Sequence, residues 1–525
     1  MTDVTADPSP TEGGDGGDGD GGRTLGRSSL INLVGFAVYG VANFALIVVI
    51  TRQLGEEGAG AFLTAIAVFN IVARSCMAGT DLGLVRFTSR FVARGRGHEV
   101  RHLFRIALGP VLVVASLAGL ALFLLADPLG RLLTSGGEGA GAPADQLASY
   151  LRVLGPFVPV AAAYQVLEGG SRGFDTMVPS VAVERLGRST SLPVIMLLVL
   201  AGGGGATAVG LAWAGPFAVA LVPIALWTTR LVRRAEKAVV ARFDRPEPMG
   251  HAQLRRRFWA FALPRSFAGV FALTILWVDA LLLGILESTE AVGVYTAATR
   301  WLIVGNFAGN AVALAFGPQI SSVLAREGAD GARRLFQAAT AWLILLAWPA
   351  YFTAMIFAPY LVTAFGDGFG AGASVIAITG VGFLLSSAAG PIDMLLLMAG
   401  RSRLSLINTG LALATNIGAN LILIPLLGIQ GAALAWTLSL AVANGLPAAQ
   451  MWVVLRIQPF GPRSLRALAI VSAVGLSLGA ARLLLGATLA GLVVGVVLGG
   501  LVLVAGVRQA PDRMGVVDVL RRAAP

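Results

Sequence analysis

Apolar runs of about 20 residues follow one another along nearly the whole chain, and the charged residues collect in the gaps between them. Runs of 18 or more apolar residues are long enough to cross the hydrocarbon core of a bilayer as helices. Fourteen such helices are predicted, at about 28–52, 58–79, 103–126, 147–169, 178–201, 206–230, 258–285, 291–317, 334–357, 372–399, 404–427, 430–455, 465–484 and 487–507. Before the first run, residues 1–22 are low-complexity and acidic, with GGDGGDGDGG at their centre. Such a segment buries too little surface to fold, so 1–27 is expected to be a disordered tail, as is 508–525 at the other end. The first run is long and follows a polar stretch, which reads as an uncleaved anchor rather than a signal peptide.

The gaps have a polarity. Arg86, Arg90, Arg94, Arg96 and Arg101 share one gap, Arg230 to Arg257 another, and Arg326, Arg333 and Arg334 a third. Arg401, Arg403, Arg456, Arg463 and Arg466 continue the series on the same side. The alternate gaps hold mainly acids, among them Glu56, Glu57, Asp127, Glu138, Glu287, Glu290 and Asp367. Positive charge stays on the cytoplasmic side of a membrane, so both termini are expected in the cytoplasm. The longest such gap, 231–257, opens with RLVRRAEKAVVARF, which places Leu231, Ala235, Ala238 and Val239 on one stripe. It reads as a linker, carrying either an interfacial helix or only a charged anchor.

The chain also repeats itself. At an offset of 232, Ser89 matches Ser321, Ala93–Arg94 matches Ala325–Arg326, Arg101 matches Arg333 and Leu103–Phe104 matches Leu335–Phe336. GAFLTA from Gly60 matches GVYTAA from Gly293, and Pro128 matches Pro359. LEGGSR resembles LMAGRSR, and VGLAWAGPFAVA resembles AALAWTLSLAVA. Two similar six-helix halves follow, 28–230 and 258–455, with 456–507 as two additional helices. Each half has an even number of spans, so the two are parallel repeats about an axis along the membrane normal.

Composition agrees with this reading: 56% of residues are hydrophobic and 13% charged, too little charge to cover the surface of a soluble domain. The net charge of +11 does not indicate nucleic acid, because the arginines are spread over the gaps rather than gathered in a domain. Cys76 is the only cysteine, which rules out an intrachain disulfide. The three histidines, His98, His102 and His251, lie in the basic gaps with no acid completing a metal motif, and no Walker sequence is present. No metal and no cofactor are expected. The largest acidic-side gap, 127–146, holds no convincing catalytic cluster, so the chain is not expected to be an enzyme.

Three segments carry a family resemblance: TRQLGEEGAGAFLTAIAVFNIV at 51–72 with GTDLGLVRFTSRFVARG after it, DALLLGILESTEAVGVYTAATR at 279–300, and GIQGAALAWTLS at 428–439. They resemble the polysaccharide exporter, or oligosaccharide flippase, family of the multidrug/oligosaccharidyl-lipid/polysaccharide (MOP) exporter superfamily, over about 25–510. The resemblance implies an all-α polytopic fold with two six-helix bundles around a central cavity and two extra C-terminal helices. It also implies export of lipid-linked glycan intermediates by alternating access, in the bacterial plasma membrane. Its partners would be the lipid-linked glycan, membrane lipid, a proton or sodium ion, and glycan-assembly enzymes.

Charges inside spans are costly and become candidates by default. Arg74, with Asn70 one turn earlier, Arg265 after Pro264, and Arg300 with Asn306 and Asn310 are candidates to line a cavity for an anionic head group. Planar bidentate arginines suit a polyprenyl diphosphate. Asp279 is fourteen residues after Arg265, on nearly the same face and about 21 Å along the helix. Asp279, and Asp393 two residues after Pro391, read as buried acids for coupling or gating. Each charge also has a plainer reading: the arginines snorkel to head groups, and the acids make structural salt bridges. A drug or cation antiporter of the same fold and a non-transporting envelope scaffold remain the alternatives, with three arginines against two acids favouring an anionic cargo.

Overall fold

The computed structural model describes residues 18–135, 141–240, 250–398 and 401–509. Among them every regular element is helical. In chain order these are α1 (Asp18–Cys76), α2 (Thr80–Ala93), α3 (Val100–Leu124), α4 (Ala126–Leu133), α5 (Gly141–Leu154), α6 (Val158–Ser171), α7 (Ser189–Ala201) and α8 (Ala206–Val240). Then come α9 (His251–Leu286), α10 (Thr289–Thr299), α11 (Ile303–Ile356), α12 (Ala358–Leu361), α13 (Gly372–Ala388), α14 (Ile392–Met398), α15 (Ser402–Leu427), α16 (Ile429–Leu455), α17 (Pro462–Leu485) and α18 (Leu489–Arg508).

Two of these are double. α1 is two helices joined at Gly55 (φ 68°) and α11 two joined at Gly328 (φ 66°). Both glycines occupy the left-handed region, which side chains resist. Eleven stretches among the described residues are long and apolar enough to cross a membrane. The expected spans 28–52 and 58–79 fall together in one of them, Val38–Cys76. The expected spans 178–201 and 291–317 do not qualify. The first of these opens in a π-helix, Ser180–Arg188, that carries three charges, and the second is interrupted by a 3₁₀ turn, Arg300–Leu302.

Three expected boundaries look different in the fold. α1 begins at Asp18, inside the stretch read as a disordered tail; residues 1–17 and 510–525 lie outside the described residues. The basic stripe after Arg230 is not a separate interfacial element as far as Val240, because it prolongs α8 without a break. There Val232 packs into the core and Arg101 of α3 holds Glu236 through two hydrogen bonds, at 2.8 and 2.7 Å; residues 241–249 lie outside the description. Leu254, Phe258 and Ala262, on both sides of the expected boundary at 258, belong to the apolar core of the first half.

That last point makes α9 a strap between the halves. Its beginning lies on α2, with Phe87 5.8 Å from Phe258 and 5.9 Å from Phe261, and the ring of His102 of α3 lies 3.8 Å from that of His251, tilted against it. Its end packs on α15 and α10 in the second half.

At the Gly55 end the halves cross directly. A Cβ on Gly60 of α1 would collide with the carbonyl of Thr289, and one on Gly293 of α10 would collide with the carbonyl of Glu56. These are the two glycines that the repeat aligns. Nearby, Arg52 donates to the carbonyls of Ala364 (2.7 Å) and Thr363 (3.2 Å), and Ser135 donates to that of Ile285 (3.3 Å). α17 and α18 pack against α11, where Arg482 donates to the carbonyl of Ile356. Large apolar side chains cover the outside: Leu483 is 88% exposed and Val219 74%. Such a rim needs lipid, because water would make it an aggregation surface.

Candidate functional site

The seam between the halves is lined by α1, α9 and α10. α10 ends at Thr299, and the 3₁₀ turn Arg300–Leu302 points Arg300 back toward α9. The Arg300 guanidinium lies 5.5 Å from the ring centre of Trp277, and its Nε is buried without a hydrogen-bond partner among the described residues. A cation over an indole face is favourable, yet a buried guanidinium donor left unmatched is costly. Beside it, Trp301 packs on Phe44 of α1 with ring centres 4.4 Å apart. Arg300 thus lies where it can meet an anion between the halves.

Asp279 is buried and does not meet Arg300. Tyr295 of α10 donates to one carboxylate oxygen at 2.8 Å, and Asn420 of α15 donates to the other at 2.6 Å. Asn420 Nδ2 also reaches the carbonyl (2.8 Å) and side-chain oxygen (3.2 Å) of Asn416, one turn earlier. Asp279, Asn416 and Asn420 are 1%, 0% and 0% exposed. Among the described residues, Asn416 Nδ2 and Asn420 Oδ1 have no partner. Three helices therefore converge on an acid held by neutral donors.

The remaining candidates separate. Arg74 is half-exposed and pairs with Asp81 at 3.0 Å. Seven residues along an unbroken helix would put the two about 10 Å apart, but the chain breaks at Ala78 (φ 48°) and Gly79 (φ 72°), which brings them together. Asn70, one turn before Arg74, is half-buried. Asp393 is exposed, not buried as expected, and accepts from Ser405 at 2.6 Å. Gly390 (φ 71°) and Pro391 break the helix there instead of kinking it, so α14 starts afresh at the surface. Pro264 and Arg265 fall in α9, and Asn306 and Asn310 in α11; their side chains lie outside the described residues.

One cluster escaped the sequence reading. Ser180–Arg188 forms a π-helix, a turn type that often marks functional sites. In it Glu184 accepts from Tyr164 (2.7 Å) and from Arg188 (2.8 and 2.5 Å), and Arg188 lies 4.2 Å from the ring centre of Phe217. Glu168 accepts from Arg172 at 2.5 Å and from Ser180. The signal was present as three charges, Glu184, Arg185 and Arg188, within the predicted span 178–201.

The family model for the polysaccharide biosynthesis protein matches residues 25–323, more than half of the chain. The chain belongs to that family. No curated protein matches it in sequence. Among solved structures the family fold is shared with lipid II flippase MurJ in an inward closed conformation, at TM-score 0.69 and 10% identity, covering 92% of this chain and 99% of that one. It is also shared with an inward-facing multidrug resistance MATE family transporter of the MOP superfamily, at TM-score 0.65 and 16% identity, covering 83% and 95%. An outward-facing MATE transporter matches at 0.54 and 18%, covering 86% and 96%. The family member described here is thus a multi-pass membrane protein with the MOP-superfamily fold.

Proposed function

We propose that this protein flips a lipid-linked oligosaccharide, carried on a polyprenyl diphosphate, from the cytoplasmic to the outer leaflet of the bacterial plasma membrane. Transport is by alternating access between the two halves. The observation that carries the reading is Arg300: a guanidinium in the seam between the halves, with an unmatched buried donor, in a member of a polysaccharide biosynthesis family. A diphosphate supplies acceptors for that donor and balances its charge. The lipid tail remains in the bilayer while the sugars cross between the bundles. Both termini are cytoplasmic in this scheme, because the arginine-rich ends of the helices face that side.

Asp279 is the coupling group. Its carboxylate has only neutral donors around it, and Asn420 Oδ1 adds an oxygen without a partner. Carboxylate and amide oxygens are ligands for a hard cation, and a proton would satisfy the same charge. The drug antiporter reading would favour an acidic seam, and Arg300 argues against it. Arg74, Arg265, Asn70, Asn306 and Asn310 are assigned to the path of the head group, Pro264 is assigned to gating within α9, and Pro391 and Asp393 to gating at the start of α14.

The test is genetic and chemical. A strain lacking the gene is expected to lose its surface glycan and accumulate lipid-linked precursor on the inner leaflet. Wild-type protein restores export, and neither Arg300→Gln nor Asp279→Asn does. Full restoration by both variants overturns the reading.

A further inference from the structure

A crevice of about 550 Å³ opens on the first half, between α8 and α7 with the π-helix before it. Ser191 and Ile195 line one wall, and Ala212, Pro216, Ala220 and Pro223 line the other. Part of the space exists because Gly215 has no side chain: a Cβ there would meet nothing within 4 Å. The lining is apolar except for Ser191 and Arg188, and both are already engaged. Ser191 donates to the carbonyl of Arg188 at 3.0 Å, and Arg188 donates to Glu184. Val219, on the rim, is 74% exposed, so the mouth faces lipid.

Length and charge say what fits. The wall from Ala212 to Pro223 runs about 16 Å along α8, close to one leaflet's share of a hydrocarbon core of about 30 Å. An apolar slot of that length takes one hydrocarbon chain. Beyond Pro223 the same face of α8 continues through Trp227, Arg230 and Arg234, at spacings of three and four residues along an unbroken helix. Trp227 has the amphipathic ring that settles at head-group level. Arg230 and Arg234 are exposed. The stretch 230–237 holds four basic residues against one acid, Glu236, which Arg101 already holds. Basic clusters beside membrane helices attract anionic lipid head groups. Slot and charge therefore lie on one line along α8.

We propose that the crevice between α7 and α8 binds an anionic phospholipid, with one acyl chain in the slot and its phosphate on Arg230 and Arg234. The site does not depend on the flippase reading, because it opens to the bilayer rather than to the seam. A chain seated there touches the π-helix through Val183 and Gly187. Lipid occupancy thus braces the segment that carries Glu184 and Arg188.

The experiment uses the full chain in detergent, offered equal amounts of phosphatidylglycerol and phosphatidylcholine with matched chains, and reads retained lipid by native mass spectrometry. Wild type is expected to retain phosphatidylglycerol about ten-fold over phosphatidylcholine, the scale of two basic side chains at an anionic head group. Arg230→Gln combined with Arg234→Gln is expected to bring that preference below about two-fold. Gly215→Leu fills the slot and favours the helix, and is expected to cut retention of phosphatidylglycerol about ten-fold. Gly410→Leu, on α15, also places a side chain in open space and is expected to retain lipid as wild type does. Equal retention of the two lipids by wild type overturns the proposal. So does a Gly215→Leu protein that retains phosphatidylglycerol like wild type, or an equal loss in Gly410→Leu. Displacement of phosphatidylglycerol by an equal amount of farnesyl diphosphate overturns it too, because the crevice would then take a prenyl chain in place of a phospholipid.

Discussion

Each half of the molecule holds an acid among polar partners, and the two do so differently. In the first half Glu184 is matched by Arg188 four residues later and by Tyr164. In the second half Asp279 receives hydrogen bonds from Tyr295 and Asn420, both neutral, and no described residue bridges it with a cation. The first arrangement is electrically closed. A buried pair of this kind contributes little net stability but is costly to break on one side. The second is electrically open, so a mobile proton or metal ion is the natural complement. Under the proposed function, the acid whose charge the fold leaves unbalanced, rather than any buried acid, is the candidate for coupling.

The largest expected effect breaks this contrast directly. Asp279→Asn should lower coupled transport in vesicles by about a hundred-fold, the scale of about 3 kcal/mol, while its melting temperature stays near wild type because no partner charge is stranded. If transport persists, the open cluster has no coupling role. Arg188→Ala should do the reverse. It strands Glu184 and should cost about 3–5 kcal/mol of stability, read by denaturation in detergent, and Glu184→Gln combined with Arg188→Gln should recover much of that loss. Next in size, Gly60→Ala should cost about 1–3 kcal/mol, because its new methyl meets the Thr289 carbonyl. Spin labels at the Gly55 end should then report a wider separation between the halves. Asp393→Asn, at an exposed position, should stay within about 0.5 kcal/mol; a large loss of transport there would restore the gating role first read from the sequence.

The fold was legible because hydrophobic run length is a strong local signal. Asp279 and Arg300 were legible for the same reason: a charge in an apolar run stands out. Their surroundings were not. Asn416, Asn420 and Tyr295 are neutral and cheap to bury when bonded, and the two asparagines are on a helix distant in sequence. Arg74 was read on an unbroken helix, but Ala78 and Gly79 turn the chain and deliver Asp81 to it. Asp393 was read as buried because the break at Gly390 and Pro391 was taken for a kink. Glu184, Arg185 and Arg188 sat inside a predicted span, and the π-helix that folds their charges onto one another has no signature in residue spacing.

α9 adds a mechanical side to this picture. It is a single beam clamped at both ends: at one by Phe258 and Phe261 against Phe87, at the other by Asp279 through Asn420. Any rocking of one half against the other must flex this beam or slip one clamp. The acid proposed to take the ion is itself part of the second clamp. An ion taken up there, as proposed, would reach the first half as a bending load.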